Sequence, residues 1–411
     1  MINVRQGVFH LRNEEASYLF RVKDGFLEHL HFGARAETAD ALAFAARPGC
    51  GWGDSTLYRE GSNADCLDIL PLEWSGCGRG DYRESPLELS IGGRAVSTDF
   101  RYLGCEVLKE PPPSALPVSR GQTILAVYLE DAAAKLRLTL LYGVLPTVFT
   151  RRAILENCGS SAVHIRKCMS ACTELPGDWE LHTFSGGWIA EMQHTRTPVT
   201  MARTCLESTT GASSSRANPG FLLAAPDAGE QAGAVYGFNL LYSGSHYLSA
   251  QKSLQGLTRV LQGISPANFD WELAPGARFE TPEAVMAYSG AGFGGLSACF
   301  HRYVNEHLIP PHPAPLAGPA PPHRLQQLGG LHVRFYGIEA PAPRPGGKAA
   351  RLRAVRPRRR LVRQAKQRYH QPWRLYRERK ETAGRPARPR RKAERHGIAV
   401  RPLVRAGIRQ P

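Results

Sequence analysis

Alternating apolar and polar positions run through most of the first 290 residues. In the segment 135–145, Leu136, Leu138 and Leu140 alternate with polar residues, which is the period-two pattern of a strand with one buried face. Further strand-like runs lie at 17–22, 27–33, 123–131, 233–250 and 257–263. So many short strands at this spacing, with few helical patterns between them, predict a mainly β fold built as a large antiparallel β-sandwich.

Turn signals divide these runs, and the hydrophobic period changes only near residue 300. Asp24-Gly25 and Gly92-Gly93 predict two hairpin turns, and Pro275-Gly276 predicts a third turn. The apolar residues that follow recur on one face at helical spacing; they are Leu296, Phe300, Tyr303, Val304 and Leu308. Because Pro310-Pro311 would end such a helix, we predict a linker helix within 291–311.

Charge separates the chain into two parts. The 411 residues carry a formal net charge of +16. From residue 312 onward there are 26 Lys and Arg but only four Glu, a net charge of +22, whereas residues 1–311 carry 26 basic and 32 acidic residues, a net charge of −6. The second part contains no Asp, Asn or Cys. We therefore predict a β-sandwich at 1–290, the linker helix at 291–311 and a basic, mostly disordered tail at 312–411.

The nine cysteines show no CxxC pair, and their number is odd. Reduced thiols in a cytoplasmic protein are the expected state. Cys168 and Cys172 share a spacing that would place both on one face of a strand, as buried small side chains. We see no signal peptide at the N-terminus and no apolar run that approaches the ~20 residues needed to span a bilayer.

The segment 66–86, CLDILPLEWSGCGRGDYRESP, is the densest patch of chemistry-bearing residues. Its glycines do not form a phosphate-binding loop, because neither a following helix nor a Lys-Ser/Thr pair closes it. One interpretation is a turn-rich loop that orders Trp74, Asp81 and Arg83 for structural reasons. The alternative is a carbohydrate rim, in which the aromatic ring stacks on a sugar and the charged pair fixes its hydroxyls.

Several stretches in residues 1–311 together resemble the N-terminal domain of bacterial alpha-galactosidases of glycoside hydrolase family 36. They appear in family order over about 300 residues; they include FHLRNEEASYLFRV, LEHLHFG, CLDILPLEWSGCGRGDYRESP, STDFRYLGCEVL, GASSSRANPGF, GAVYGFNLLYSGSHY and FHRYVNEHLIP. The resemblance implies a β-sandwich that leads through a linker helix into a (β/α)₈ barrel, and a tetrameric assembly. It also implies alpha-galactoside substrates, with no cofactor and no metal ion.

In this family two barrel aspartates perform retaining hydrolysis, as nucleophile and as acid/base ~5–5.5 Å apart. No Asp follows Asp270 in this chain, so neither catalytic position can be assigned and we predict no hydrolysis. The substrate-rim candidates that the resemblance and the loop suggest are Asp54, Trp74, Asp81 and Arg83. The alternative hypothesis is a non-catalytic module that binds sugar or builds the oligomer, and a further one is misfolding.

The tail is similar to the family's barrel when it is translated in another reading frame. With permitted codons, RLQQLGGLHVRFYGIE (324–339) reads DYNNWEAYMFDFTES one nucleotide later, and RAVRPRRRLVRQAK (353–366) reads ELFVLDDGWFGKR. Both resemble barrel strands of the family, and the second carries its paired aspartates. KAERHGIA (392–399) resembles the family without a shift, and VRPLVRAGI (400–408) resembles it only after a shift, to FGLWFEPE. We therefore predict at least two departures from frame. The competing interpretation is a nucleic-acid-binding arm, since an Arg-rich segment binds phosphates non-specifically.

Overall fold

The strands of this protein form three sheets in the residues that the computed structural model describes, namely 1–45, 67 and 69–309. In chain order they are β1 (Ile2–Arg5), β2 (Val8–Arg12), β3 (Ala16–Lys23), β4 (Phe26–Ala34), β5 (Leu87–Ile91), β6 (Arg94–Val96), β7 (Arg101–Leu108), β8 (Thr123–Asp131), β9 (Leu136–Val144), β10 (Phe149–Asn157), β11 (Val163–Pro176), β12 (Glu180–Gly187), β13 (Ala190–Pro198), β14 (Thr204–Glu207), β15 (Ala217–Ala224), β16 (Val235–Leu241), β17 (His246–Lys252), β18 (Leu257–Ile264), β19 (Trp271–Leu273), β20 (Arg278–Glu280) and β21 (Glu283–Ser289).

Helices are few in the described residues. A 3₁₀ turn (Thr38–Asp40) leads into the short α1 (Ala41–Phe44), and α2 (Gly292–Tyr303) continues into a π-helical turn (Val304–Leu308). The predicted helix is therefore confirmed, although its last turn is wider than an α-helix. The boundaries 1–290, 291–311 and 312–411 stay predictions, because the basic tail lies outside the described residues.

The sheets stack as a sandwich, as predicted. The ten-stranded sheet runs β13-β12-β15-β16-β21-β10-β9-β8-β7, with β20 paired to β10. The seven-stranded sheet runs β14-β17-β18-β11-β5-β6, with β19 paired to β11, and β1 to β4 form a meander. The largest cluster of buried side chains takes residues from all three sheets, among them Phe20, Leu138, Ile165, Phe238 and Val260. This shared core holds the layers together.

Two predicted hairpins have the backbone that their turns require. Asp24 and Gly25 both have positive φ, at 51° and 86°, and they join β3 to β4 in an antiparallel pair. Gly92 and Gly93, at 58° and 76°, join β5 to β6 in the same way. Positive φ at both central residues is the requirement of the type I′ turn, which explains why these sequence signals were informative.

The turn at Pro275-Gly276 does not close a hairpin. β19, before the turn, pairs with β11 of the seven-stranded sheet, and β20, after it, pairs with β10 of the ten-stranded sheet. The chain thus crosses from one layer of the sandwich to the other at this point.

The prediction that Cys168 and Cys172 share a face of one strand was wrong. A β-bulge interrupts β11 between Met169 and Ala171, and one additional residue reverses the alternation of side chains. Cys168 therefore packs in the main core, whereas Cys172 packs in a separate cluster with Met169. Both thiols are buried, as expected, and burial raises the pKa of each to about 12.

Helix α2 covers the outer face of the ten-stranded sheet. Its buried side chains Leu296, Cys299 and Tyr303 pack on Val235 and Val285 of the sheet. The helix lies so close to β16 that a Cβ at Gly237 would stand 2.4 Å from the Phe300 ring. Glycine is therefore needed at this position to admit the helix.

Candidate functional site

The segment 69–86, which we term the anchored loop, leads into β5. Three of its carboxylates are buried; the side chains of Glu73, Asp81 and Glu84 retain 0, 1 and 5% of their exposure. Each carboxylate meets a cation from a different strand. A buried charge is tolerated only when it is paired and hydrogen-bonded, so these three pairs fix the path of the loop.

Glu73 makes the most deeply buried of these pairs. Arg151, on β10, donates to its carboxylate at 2.6 Å, and neither side chain has any exposed surface. His29 Nδ1 lies 2.6 Å from the other carboxylate oxygen, and the Tyr18 and Tyr142 hydroxyls donate at 2.9 and 2.8 Å. Burial alone would raise the pKa of the Glu73 carboxyl, but Arg151 and His29 outweigh it and hold that pKa below its ordinary value.

Asp81 belongs to a buried group of two acids and two arginines. Arg83 Nε donates to it at 2.7 Å, and Arg259, on β18, lies 2.8 Å from its second oxygen. Both arginines also pair with Glu174, at 3.1 and 2.6 Å. Burial opposes ionisation of Asp81, yet the Arg259 and Arg83 guanidiniums keep the pKa of its carboxyl below the ordinary value.

Glu84 closes the loop against the outer side of the seven-stranded sheet. Lys167 Nζ, on β11, lies 2.5 Å from its carboxylate, and the Tyr247 and Ser249 hydroxyls, on β17, donate at 2.8 and 2.7 Å. Burial again opposes ionisation, but Lys167 and these hydrogen bonds lower the pKa of the Glu84 carboxyl. All three carboxylates are thus held as anions.

The structure brings some of the predicted rim residues together. Asp81 and Arg83 form the pair described above, and Trp74 lines the same small cavity as Asp81. Trp74 is only 5% exposed and Arg83 only 6%, and Arg83 also donates to the carbonyls of Leu67 and Leu70. This geometry favours the structural interpretation of the loop over the carbohydrate rim. Asp54 lies outside the described residues.

The cations that neutralise the loop were not singled out from the sequence. Arg151 and Arg152 stand side by side in β10. Successive side chains of a strand point to opposite faces, so such a pair is a signal for buried charge. Arg166 and Lys167 in β11 give the same signal for Lys167. No comparable signal marked Arg259 or Glu174, because neither has a charged neighbour in the sequence.

A hairpin arm, formed by the outer parts of β12 and β13, is the principal exposed feature. All nine residues of β13 are exposed, and the tip carries Trp188 and Ile189 at 76 and 80% exposure. Large exposed apolar side chains that stand next to each other mark interaction surfaces more often than isolated ones do. At the base of the arm, His182 Nδ1 lies 2.9 Å from His194 Nε2.

Two further findings concern metal ions and membranes. Within residues 1–45, 67 and 69–309, no group of three or more His, Cys, Asp or Glu side chains is placed to hold a metal ion. In the same residues, no helix has the length and apolar character that a membrane crossing requires.

Comparison with known proteins places this fold among the glycoside hydrolases. The sequence profile of the glycosyl hydrolase family 36 N-terminal domain matches residues 25–274. Alpha-galactosidase AgaA of Geobacillus stearothermophilus is 32% identical over 316 residues, which cover 73% of this chain and 42% of that protein. Alpha-galactosidase Mel36A of Lactobacillus acidophilus is 31% identical over 315 residues, which cover 74% and 42%.

Solved structures of alpha-galactosidases give the same family assignment as the sequence comparisons. The galactosidase domain of the alpha-galactosidase-sucrose kinase AgaSK superposes with a TM-score of 0.71 at 28% identity, over 75% of this chain and 44% of that chain. AgaA in complex with raffinose gives a TM-score of 0.69 at 32% identity, over 73% and 43%. The chain therefore belongs to glycosyl hydrolase family 36 through its N-terminal domain. It spans about two fifths of the length of the curated relatives it matches.

Proposed function

We propose that residues 1–311 act as the non-catalytic β-sandwich of an alpha-galactosidase and that this chain itself does not cleave galactosides. The match to the family's N-terminal domain at 25–274 carries this proposal. It is supported by the absence of Asp after Asp270 in this sequence.

The three buried carboxylates of the anchored loop are not suited to act as a glycosidase acid. A glycosidase needs a carboxylic acid that is still protonated near neutral pH, so its pKa must be raised. The arginines and lysine around Glu73, Asp81 and Glu84 lower the pKa of each carboxyl instead. These groups also lie in the interior, where a sugar could not reach them. Their chemistry is that of structural anions.

An assay with a chromogenic alpha-galactoside tests this proposal directly. The purified full-length chain is expected to show no turnover above a blank, while AgaA serves as the positive control. Turnover that copurifies with the chain would refute the proposal. Calorimetric titration with galactose then separates a sugar-binding module from a purely structural one, and Asp54→Ala tests the rim candidate that lies outside the described residues.

The reading frame of residues 312–411 forms part of the same proposal. We infer that this segment is family barrel sequence translated out of frame, which accounts for 22 Arg and no Asp in one hundred residues. The nucleotide sequence decides it. Codons for the arginine run 358–360 should spell GAC GAC in the adjoining frame, and any other spelling would refute the inference. Binding of nucleic acid by the tail, if observed, should be non-specific and salt-dependent.

Self-association is the second part of the proposal. The exposed arm supports it, because Trp188 and Ile189 stand at its tip and β13 leaves one backbone edge unpaired among the described strands. We propose that this arm contacts another copy of the chain, and that the assembly is a tetramer. Light scattering coupled to size-exclusion chromatography measures the oligomeric state.

A further inference from the structure

A small cavity lies where the anchored loop packs on the segment that precedes β7. Its volume is about 10 Å³, and its lining includes Trp74 and Gly76 from the loop and Thr98 and Asp99 from the segment before β7. This volume is at the lower limit of what a single water molecule needs. The cavity is therefore too small for a sugar or a phosphate.

Four polar atoms of the lining residues are buried and make no hydrogen bond within the described part of the chain. One of them, Asp81 Oδ2, is ion-paired with Arg259 at 2.8 Å, so three have no partner of either kind. They are Trp74 Nε1, Thr98 Oγ1 and Asp99 Oδ1. The second carboxylate oxygen of Asp99 is already paired, with Arg79 at 3.0 Å and Arg101 at 2.9 Å. Buried polar atoms are nearly always hydrogen-bonded to protein or to ordered water, so three such atoms around one cavity indicate a ligand.

The hydrogen-bonding character of the three atoms restricts the chemical class of that ligand. The indole nitrogen of Trp74 can only donate, the ionised Asp99 carboxylate can only accept, and the Thr98 hydroxyl can do either. A ligand that satisfies all three must accept one hydrogen bond and donate another. The Asp99 carboxylate would repel an anion. The indole N–H and the Arg79 guanidinium would repel a metal ion.

We propose that one buried water molecule binds in this cavity and bridges Trp74, Thr98 and Asp99. A water accepts from the indole and donates to the carboxylate and the hydroxyl, which satisfies all three groups at once. Gly76 permits the close approach of the loop to the segment before β7, because a Cβ there would lie 2.1 Å from the Thr98 carbonyl oxygen.

The bound water would complete the anchoring of the loop. Ion pairs hold the loop at Glu73, Asp81 and Glu84. The water would hold the stretch between Glu73 and Asp81 against the segment that precedes β7. Trp74 then uses its only polar atom inside the protein, so its indole is not available to a sugar hydroxyl.

Water-selective NMR on the full-length chain tests this site. In a sample labelled with ¹⁵N at its six tryptophans, the Trp74 indole resonance is assigned by its loss in Trp74→Phe. We expect that resonance to show a nuclear Overhauser effect to water with the sign of a long-lived, buried molecule. A visible Trp74 indole resonance without this effect would overturn the proposal. A crystal structure with a dry cavity, a bound ion or a direct protein acceptor at the same position would do so too.

Paired variants of Thr98 supply a second measurement. Thr98→Ser keeps the hydroxyl and should keep the water signal, whereas Thr98→Val removes one contact of the water and should weaken or abolish it. Val and Thr have nearly the same shape, so the comparison isolates the hydroxyl. An equally strong water signal in both variants would contradict the bridging role of Thr98. If Thr98→Val does not fold, the signal in the unmodified chain still decides the proposal.

Discussion

Arg151 and Glu73 form an ion pair at 2.6 Å in which neither side chain has any exposed surface. They come from β10 and from the anchored loop, 78 positions apart, and they join the ten-stranded sheet to this loop. Removing one partner of such a pair leaves the other charge buried without compensation. The stability of the sandwich therefore depends on this contact more than on any exposed ion pair.

Glu73→Gln is expected to lower the free energy of unfolding by about 3–5 kcal/mol. The amide keeps the shape of the side chain but leaves the Arg151 guanidinium without its counter-charge. The midpoint of urea unfolding, followed by tryptophan fluorescence, measures the change.

The matched control for this prediction is Glu37→Gln. Glu37 pairs with Arg12 at 3.1 Å, but its side chain is 76% exposed, so the loss should stay below about 1 kcal/mol. Equal effects of the two variants would show that burial does not set the strength of the Glu73 pair.

Acid should destabilise the sandwich through the anchored loop. The pKa values of Glu73 and Glu84 lie below their ordinary 4.5, and that of Asp81 lies below its ordinary 3.8. The unfolded chain then binds more protons than the folded chain at low pH, so stability decreases as pH falls through these ordinary values. Thermal unfolding at pH 3 to 6 should show this decrease, and in Glu73→Gln it should be smaller.

His182 should cause a separate loss of stability as the pH falls, and this loss should begin at a higher pH than that of the carboxylates. Burial, together with His194 and Arg196, lowers its pKa below the ordinary 6.5, and Glu180 opposes this only in part. The unfolded chain therefore takes up the proton first, and stability should decrease as pH falls below 6.5. His182→Gln should remove this part of the pH dependence and leave the acid limb intact. An unchanged profile in His182→Gln would exclude His182 as its source.

Gly237→Ala should destabilise the contact between α2 and the ten-stranded sheet. The added methyl would stand 2.4 Å from the Phe300 ring, and overpacking of this kind costs about 1–3 kcal/mol. Gly104→Ala is the control, because no atom lies within 4 Å of a Cβ at that strand position. Calorimetric unfolding of both variants gives the comparison, and a midpoint for Gly237→Ala as high as that of the control would contradict the close approach.

The arm should govern self-association without contributing to the packing of the single chain. We expect replacement of Trp188 and Ile189 by serine to lower the oligomeric state measured by light scattering, and to lower the unfolding temperature only by the part that assembly contributes through mass action. Leu254→Ser provides the control, because Leu254 is also 80% exposed but lies outside the arm. If only the control altered the assembly, the arm would be excluded as the contact surface.

Local signals in the sequence were sufficient for the sandwich, the hairpins and the helix. Asp24-Gly25 and Gly92-Gly93 are informative because a type I′ turn depends on the two residues that form it. The bulge in β11 gives no such signal in the sequence, and because of it Cys172 lies on the opposite face of the strand from Cys168. The layer crossing at Pro275-Gly276 depends on which distant strands β19 and β20 meet, so the turn residues alone could not predict it.

The candidate site was predicted only in part, for a related physical reason. The segment 66–86 was recognised because its charged and aromatic residues are close in sequence. Whether Asp81 and Arg83 face a sugar or the interior depends on Arg259 and Glu174, which the chain supplies from other strands. Spacing along the chain carries no information about such partners.

The anchored loop also limits how this domain can change over evolutionary time. Each buried carboxylate meets a cation that is encoded far away in the gene, on β10, β18 or β11. A substitution that reverses or removes one charge is tolerated only when its distant partner changes as well. Among relatives, these three pairs should therefore be inherited or replaced together, as linked positions in a lineage.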